Sequence, residues 1–162
     1  MFSFKTIVNR IKKVSEDSRV LSAKPRVGHM YTYLYDPKTK DKLPYYDIFP
    51  LIIVVDYAKD GFYGINFHYL TVQDRIKLLQ LVAPMNTKSK NMRKIQISYG
   101  MLKALSNSIW KPTFKRYLFS HMKTKIVEMP VKDWKDCVKL PVVGFRKSTA
   151  EQIQKDSRKI YK

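Results

Sequence analysis

Residues 51–70, LIIVVDYAKDGFYGINFHYL, contain the pattern that decides the fold. The apolar run from Leu51 to Tyr57 is typical of a buried strand, and the stretch from Phe62 to Leu70 favours a second strand. Between them, Asp60-Gly61 is a frequent sequence of tight hairpin turns, in which Gly61 takes a positive φ. The stretch predicts two antiparallel strands, with Gly64 at a bulge or at a close approach between two backbones.

The residues before the hairpin predict a third strand and a packed loop. His29 to Tyr35 is rich in aromatic and β-favouring residues, and Asp36 to Lys42 has the composition of a turn. Leu43 to Pro50 contains two prolines and three aromatic residues, so we expect an irregular packed loop. A rigid, tyrosine-rich loop can also anchor a partner. We favour core positions for Tyr45, Phe49 and Leu51, and surface positions for Lys38 to Lys42.

The second half of the chain has helical periodicity. Thr71 can cap a helix over residues 72–82, with Ile76, Leu79 and Val82 facing inward. Another helix is expected to begin at Pro112, with Phe114, Leu118 and Met122 on one face. Helices are also expected over residues 98–108, 131–138 and 149–161, and a fourth strand over residues 125–129. The predicted fold class is α+β: a small, strongly curved antiparallel sheet, barrel-like and of about four strands, packed with several short helices.

The first 27 residues are expected to form an amphipathic arm and linker, ahead of a single α+β domain with basic C-terminal helices over residues 28–162. Phe4, Ile7 and Ile11 recur at helical spacing beside basic residues. Such a stripe can lie on a membrane, but it docks more often on the protein's own core or on a partner. Because a lone helix of this length is marginal in water, we expect these three side chains to contact a neighbouring subunit.

The charge of the chain is strongly positive and unevenly distributed. Its 162 residues contain 32 Lys and Arg against 13 Asp and Glu, a net charge of +19. Residues 1–27 carry a net charge of +5, residues 28–70 a net charge of −1 and residues 71–162 a net charge of +15. Small domains usually stay within a net charge of about 8, so this surplus indicates a polyanionic partner rather than solubility alone.

Ten Lys and Arg side chains are the expected phosphate contacts. They belong to a basic loop over residues 86–95, to the helix expected from Pro112 and to the segment before the last helix. Phosphate contacts need only cations on loops or helices, and they carry no sequence information. Since the sequence contains no helix-turn-helix, zinc-finger or RNP motif, base-specific recognition is not expected. The predicted DNA-binding residues are Lys88, Lys90, Arg93, Lys94, Lys111, Lys115, Arg116, Lys123, Arg146 and Lys147.

Cysteine content and hydropathy exclude other protein classes. The single cysteine, Cys137, excludes an internal disulfide and a four-cysteine zinc site, and it indicates a reducing compartment. The longest apolar run, Leu51 to Val55, is far shorter than the roughly 20 residues of a membrane span. The N-terminal sequence MFSFKTIVNRIKK lacks the continuous apolar segment of a secretory signal. We therefore expect a soluble protein without a membrane span.

No residue set points to catalysis, and we predict neither an enzyme nor a metal or cofactor. His29, His68 and His121 are far apart in the sequence and are expected to be structural, as is Cys137. Five aspartates are candidate Mg²⁺ ligands of a small nuclease, but turns favour aspartate at three of these positions. The five are Asp36, Asp41, Asp47, Asp56 and Asp60, the three turn positions being Asp36, Asp41 and Asp60.

Two longer motifs resemble a known protein family. Residues 28–51, GHMYTYLYDPKTKDKLPYYDIFPL, and residues 60–70, DGFYGINFHYL, are similar to small virion-associated proteins of T4-like tailed bacteriophages, some of which are described as DNA end protectors. Lys111 to His121, Trp134 and the Leu140-Pro141 pair also fit this family. The resemblance covers residues 26–158, and no catalytic residue set comes with it.

The resemblance implies a component of the phage particle that is made in the cytoplasm of the bacterial host. A DNA end protector would bind the termini of the packaged genome and shield them from host exonuclease. We therefore expect a structural, non-enzymatic virion protein that contacts double-stranded DNA without sequence specificity, and that has other virion proteins but no small molecule as partners. The alternative is a neck, tail or baseplate adapter that contacts only protein, and the third hypothesis is a small metal-dependent nuclease.

Deletion of residues 1–20 should leave the domain folded but reduce its incorporation into virions, because it removes the apolar stripe and none of the expected core. Thermal unfolding of the purified variant and immunoblots of purified particles measure the two effects. Undiminished incorporation of the deletion variant would contradict a docking role for the arm.

Overall fold

A computed structural model describes residue 9, residues 25–82 and residues 111–161. Five of the strands in these ranges form one antiparallel sheet, and the two shortest strands pair with each other. The strands are β1 (Met30–Thr32), β2 (Tyr46–Asp47), β3 (Leu51–Ala58), β4 (Gly61–Asn66), β5 (Phe114–Leu118), β6 (Val127–Met129) and β7 (Phe145–Arg146). The strand order of the sheet is β5-β4-β3-β1-β6, and β2 pairs with β7.

The helices in the described ranges lie after the hairpin and in the last third of the chain. They are α1 (Val72–Val82), α2 (Trp134–Cys137) and α3 (Ala150–Tyr161). Short 3₁₀ turns occupy Phe67–Tyr69, Lys111–Thr113, Phe119–His121 and Val131–Asp133. This mixture of helix and antiparallel sheet confirms the predicted α+β class.

The sheet differs from the expectation in size and closure. It has five strands rather than about four, and β5 and β6 lie at its two opposite edges. The described strands therefore do not close into a barrel, and the barrel-like shape is not confirmed. The amphipathic arm, the basic loop over residues 86–95 and the helix expected over residues 98–108 lie outside the described residues.

The hairpin predicted from residues 51–70 is confirmed as β3 and β4. Ala58 pairs with Gly61, so Lys59 and Asp60 form the turn. The register shifts between Val54 and Asp56, which places a bulge at Val55 of β3. Strand β4 ends four residues earlier than expected, since the Asn66 side chain accepts a hydrogen bond from the His68 N–H at 3.0 Å and begins a 3₁₀ turn.

Both faces of the sheet are buried. One face packs its aliphatic residues against α1 and α2, in a core that includes Ile53, Ile65, Leu78 and Trp134. The opposite face is mainly aromatic, and the ring of Tyr33 makes edge-on contacts there, with centroid distances of 5.7–6.1 Å. The members of this second cluster are Tyr31, Tyr33, Tyr35, Ile52, Val54, Phe62 and Tyr117. Burial of both faces explains why residues 51–55 are apolar without alternation.

The prediction of a helix that begins at Pro112 is wrong. Residues 111–113 form a 3₁₀ turn, and the residues after it form β5, which pairs with β4. On one face of the sheet Phe114 stacks on Tyr63, with ring centroids 5.4 Å apart. On the other face Tyr117 packs on Phe62 at 5.5 Å. Such cross-strand aromatic pairs stabilise a strand whose partner lies about 50 residues earlier, and local helical spacing does not reveal them.

The other described helices agree with the sequence. Thr71 accepts a hydrogen bond from the Asp74 N–H at 3.4 Å, as expected for the cap of α1. The short helix around Trp134 and the last helix are confirmed as α2 and α3. The buried apolar residues of α1 are Leu78, Leu79 and Val82, with Ile76 half-buried.

Arg75 joins α1 to the segment that follows α2. Its buried guanidinium donates hydrogen bonds to the carbonyls of Leu70 at 2.7 Å, Val138 at 3.1 Å and Leu140 at 3.2 Å. Burial lowers the pKa of Arg75 to about 10. The side chain is therefore still charged at neutral pH, and backbone carbonyls satisfy it.

Gly61 is required for a different reason than the sequence suggested. It does not have a positive φ; among the described glycines only Gly28 does. A Cβ atom at Gly61 would instead overlap the backbone carbonyl oxygen of Tyr117 on β5. Gly64 also lies in a close contact, but with a side chain rather than with a backbone, since a Cβ there would lie 3.3 Å from the Cβ of Ile52.

Gly61→Ala should lower the free energy of unfolding by about 2 kcal/mol or more, because β4 and β5 would have to separate to admit the methyl group. Gly64→Ala is the matched control, and it should cost less because the Ile52 side chain can shift. Urea unfolding followed by circular dichroism measures both. Equal stability of Gly61→Ala and the wild type would show that this backbone contact does not exist.

Candidate nucleic-acid interface

A pocket of about 260 Å³ lies between the loop of residues 35–47 and strand β5. We call it the tyrosine pocket. Three of its tyrosines are no more than 6% exposed and form its inner wall, whereas Tyr45 and Tyr46 are half-buried at its rim. The inner three are Tyr35, Tyr69 and Tyr117. The pocket is therefore lined by five tyrosines, three at the inner wall and two at the rim.

The rings of the tyrosine pocket support one another. Tyr35 and Tyr117 meet edge to face, with centroids 5.1 Å apart, and Tyr45 lies against Tyr69 at 6.2 Å. The Leu118 N–H donates a hydrogen bond to the Tyr35 hydroxyl at 3.0 Å. These contacts fix the inner wall, because aromatic pairs at such distances add to the stability gained by burial.

The loop that forms the outer wall is held by Lys40 and Lys147. The ammonium of Lys40 donates to Asp36 at 2.8 Å, four residues earlier. The ammonium of Lys147 donates to the carbonyls of Lys40 at 2.7 Å and Leu43 at 3.1 Å. Lys147 has a φ of 70°, which is unusual for a residue other than glycine. Its side chain therefore fastens the segment after β7 to this loop.

Lys115 lies at the inner side of the pocket. It is placed directly across from Gly64 in the pairing of β4 and β5. Its ammonium lies 4.1 Å from the centroid of the Tyr69 ring. Burial lowers the pKa of Lys115. The tyrosine face replaces part of the hydration energy that the buried ammonium loses. A paired anion would replace more of it.

Arg116 also borders the pocket, but its charge is already paired. Its guanidinium bonds the Asp60 carboxylate in the hairpin turn. This ion pair lowers the pKa of Asp60 and raises that of Arg116. Both groups are exposed, so the pair adds little to stability. Of the two adjacent cations of β5, Lys115 is therefore the one that has no carboxylate partner within residues 25–82 and 111–161.

A buried carboxylate lies beneath the pocket. Asp47 accepts hydrogen bonds from the Asn66 amide at 3.0 Å and the Phe49 N–H at 2.9 Å, and its Oδ2 lies 2.7 Å from Nδ1 of His68. Burial alone would raise the pKa of Asp47, but His68 and the two hydrogen-bond donors together lower it below its ordinary value. The cluster ties β2 to the end of β4 and sets the depth of the pocket.

The family model of the phage T4 terminal DNA protecting protein matches the chain over residues 3–161. The chain belongs to this family. Neither a curated protein nor a solved structure matches it significantly. Among the described residues of this member of the terminal DNA protecting family, no helix has the length and apolarity to cross a bilayer.

In this member of the terminal DNA protecting family, the fold brings some of the predicted DNA-binding residues together. Lys115 and Arg116 border the tyrosine pocket, and Lys147 reaches the pocket's outer loop, 5.9 Å from the Tyr46 ring centroid. Arg146 lies opposite Tyr46 in the pairing of β2 and β7. The remaining predicted residues lie elsewhere or outside the described residues.

Lys111 and Lys123 do not line the pocket. Lys111 is exposed in the turn before β5, and the ammonium of Lys123 lies 4.0 Å from the Asp36 carboxylate. The predicted contacts outside the described residues are Lys88, Lys90, Arg93 and Lys94, and so are the expected partner contacts Phe4, Ile7 and Ile11.

The histidines and the cysteine have structural surroundings, as predicted. Nδ1 of His29 lies 2.7 Å from Glu128, and Nδ1 of His121 lies 2.9 Å from the Asp36 carbonyl oxygen. Cys137 is buried, and burial raises its pKa to about 12. In the two described ranges, no three His, Cys, Asp or Glu side chains are grouped so as to hold a metal ion.

Sequence reasoning missed the tyrosines of the pocket. Leu51 and Phe49 do pack in the core as predicted, but Tyr45 lies at the pocket rim rather than in the core. Lys38 to Lys42 lie at the surface as predicted. The sequence signal that pointed to the pocket was the tyrosine-rich composition of residues 43–50, because such a composition is also typical of a binding surface.

Asp47→Ala should lower the free energy of unfolding by roughly 3 kcal/mol, since it leaves buried donors without an acceptor. Asp41→Ala, an exposed aspartate of the same loop, is the control and should stay within about 0.5 kcal/mol of the wild type. Urea unfolding at pH 7 measures both. A small effect of Asp47→Ala would mean that the cluster is not buried as described.

The same carboxylate gives a pH dependence. Because its folded pKa is below the unfolded value of about 3.9, its contribution is complete above that pH and is lost as the pH falls through the folded pKa. The wild type should therefore lose more stability than Asp47→Ala between pH 5 and pH 2. Parallel losses in the two proteins would contradict this.

Proposed function

We propose that this protein is a non-enzymatic virion component that binds the ends of double-stranded phage DNA, without reading its sequence, and shields them from exonucleases. The observation that carries the proposal is the family match, which extends over nearly the whole chain. The family's name describes protection of terminal DNA, and protection requires that a protein remain bound at the terminus.

The charge of the chain supports DNA as the partner. A net charge of +19 on 162 residues gives a long-range attraction to any polyanion. Cations on loops and strand edges neutralise phosphates and release counterions regardless of base sequence. The terminal sequences of a genome then need no recognition motif, because the electrostatic contribution is the same for all of them.

The tyrosine pocket supports a local binding site within this general attraction. It combines the ammonium of Lys115 with aromatic rings, and these are the two groups that proteins use on phosphates and on bases. The half-buried rings of Tyr45 and Tyr46 also suit a protein side chain, which keeps a virion adapter as the second candidate. Docking of the apolar arm on a neighbouring virion subunit belongs to the proposal as well.

DNA affinity should fall steeply with salt. If phosphates are the ligands, the logarithm of the association constant should decrease linearly with the logarithm of salt concentration, with a slope of about −0.9 per neutralised phosphate. Fluorescence anisotropy with two unrelated duplexes of equal length measures the slope and tests for sequence dependence. Absence of binding at low salt, or binding that salt does not change, would favour the adapter.

Neutralising Lys88, Lys90, Arg93 and Lys94 together should lower affinity equally for both duplexes and reduce the magnitude of the salt slope by up to about 4. The same samples test protection, since bound protein should slow digestion of linear DNA by an exonuclease. A duplex digested at the same rate with and without saturating protein would contradict the protective role.

A further inference from the structure

Lys115 places a cation in the tyrosine pocket, and none of the described carboxylates lies beside it. Its ammonium rests on the face of Tyr69, and no carboxylate in the described part of the chain pairs with it. Burial removes part of its hydration, and this lowers the pKa of the Lys115 ammonium. A partly desolvated cation without an anion is unfavourable, and a phosphate oxygen that enters the pocket would relieve this cost.

The size of the pocket suits one ring system. Its volume of about 260 Å³ is just below the range of about 300–1,000 Å³ that is typical for drug-sized ligands. Tyr45 and Tyr46 offer half-exposed ring faces at the rim, and Pro37, Leu43 and Pro44 add apolar wall. Every nucleobase has a π-face, so stacking on these rings does not depend on the DNA sequence.

Asp47 gives the bound group an orientation. Its buried carboxylate lies beneath the pocket and repels phosphate there. Lys115 lies on a different element, strand β5, with its ammonium over the Tyr69 ring. A nucleotide therefore enters with its base toward the tyrosine rings and with its phosphate toward Lys115.

A pocket of this kind selects a DNA end over continuous duplex. An internal nucleotide must unstack and unpair before it can enter a pocket, which is least costly where the base is already unpaired. The terminal pair of a duplex has a neighbour on one side only, so its nucleotide leaves the stack more easily than an internal one. The outer loop is held by Lys40 and Lys147, so the pocket needs little ordering on binding.

We propose that the tyrosine pocket holds the terminal nucleotide of a DNA strand, with the base stacked on the tyrosine rings and the phosphate on Lys115. This inference rests on the proposed function and adds the group that is recognised and the residues that recognise it. General DNA affinity comes from cations elsewhere on the protein, whereas the preference for an end comes from the pocket.

The test measures the affinity of the full-length protein for two labelled DNA molecules of the same sequence at one salt concentration. One is a duplex with two blunt ends, and the other is closed at both ends by hairpin loops. The wild type should bind the open duplex about tenfold more tightly. Lys115→Met keeps the apolar stem and the tyrosine rings, and it should lower the ratio of the two affinities several-fold while it changes affinity for the closed DNA little.

Lys111→Met is the matched control, because it removes the same charge from an exposed position outside the pocket. It should lower affinity for both DNA molecules by the same factor and leave the ratio unchanged. If the wild type does not bind DNA, the proposed function fails and the inference with it. If the wild type prefers open ends but Lys115→Met retains that preference, the inference alone is overturned.

A cross-linking measurement on the wild type avoids any dependence on variant folding. A duplex with 5-iododeoxyuridine at its terminal position is irradiated with the protein, and the cross-linked peptide is identified by mass spectrometry. Attachment should occur at Tyr45 or Tyr46, and the same base placed at the centre of the duplex should give no cross-link to either residue. Attachment outside the pocket for the terminal base would overturn the proposal.

Discussion

Burial of β3 on both faces is the constraint on which the rest of the structure depends. Residues 51–55 are at most 6% exposed, so the sheet needs a packed layer on each side. Helices α1 and α2 supply one layer, and an aromatic cluster supplies the other. That cluster ends at Tyr35 and Tyr117, whose rings form the inner wall of the tyrosine pocket. The pocket is thus a consequence of how the second face of the sheet is covered.

Polar contacts make this pocket a fixed feature. Asp47 joins β2 to Asn66 and His68 beneath the pocket, and Lys147 holds the carbonyls of the outer loop. A site formed before binding loses little conformational entropy when a ligand enters, which favours affinity from a small contact area. The general positive charge acts at longer range and brings DNA to the surface, so the two contributions have different roles.

The parts of this structure that could be predicted from sequence are those set by local patterns. The hairpin followed from an apolar run and Asp60-Gly61, and α1 followed from its cap and its 3.6-residue period. Strand β5 could not be predicted, because its conformation depends on aromatic pairs with β4 rather than on its own spacing. The sequence analysis placed Lys115 and Arg116 together on an expected helix, but neighbouring residues of a strand point to opposite faces. One ammonium consequently lies on Tyr69, and the guanidinium of the other pairs with Asp60.

The pocket itself was not predictable, since it combines residues 35–47, Tyr69 and β5, which only the fold brings together.

Electron cryomicroscopy of the protein bound to a long blunt-ended duplex tests whether the protein is positioned on a DNA end. Density for the protein is expected at the duplex termini, with the terminal nucleotide against Tyr45 and Tyr46. Protein distributed along the duplex, with free termini, would contradict this position.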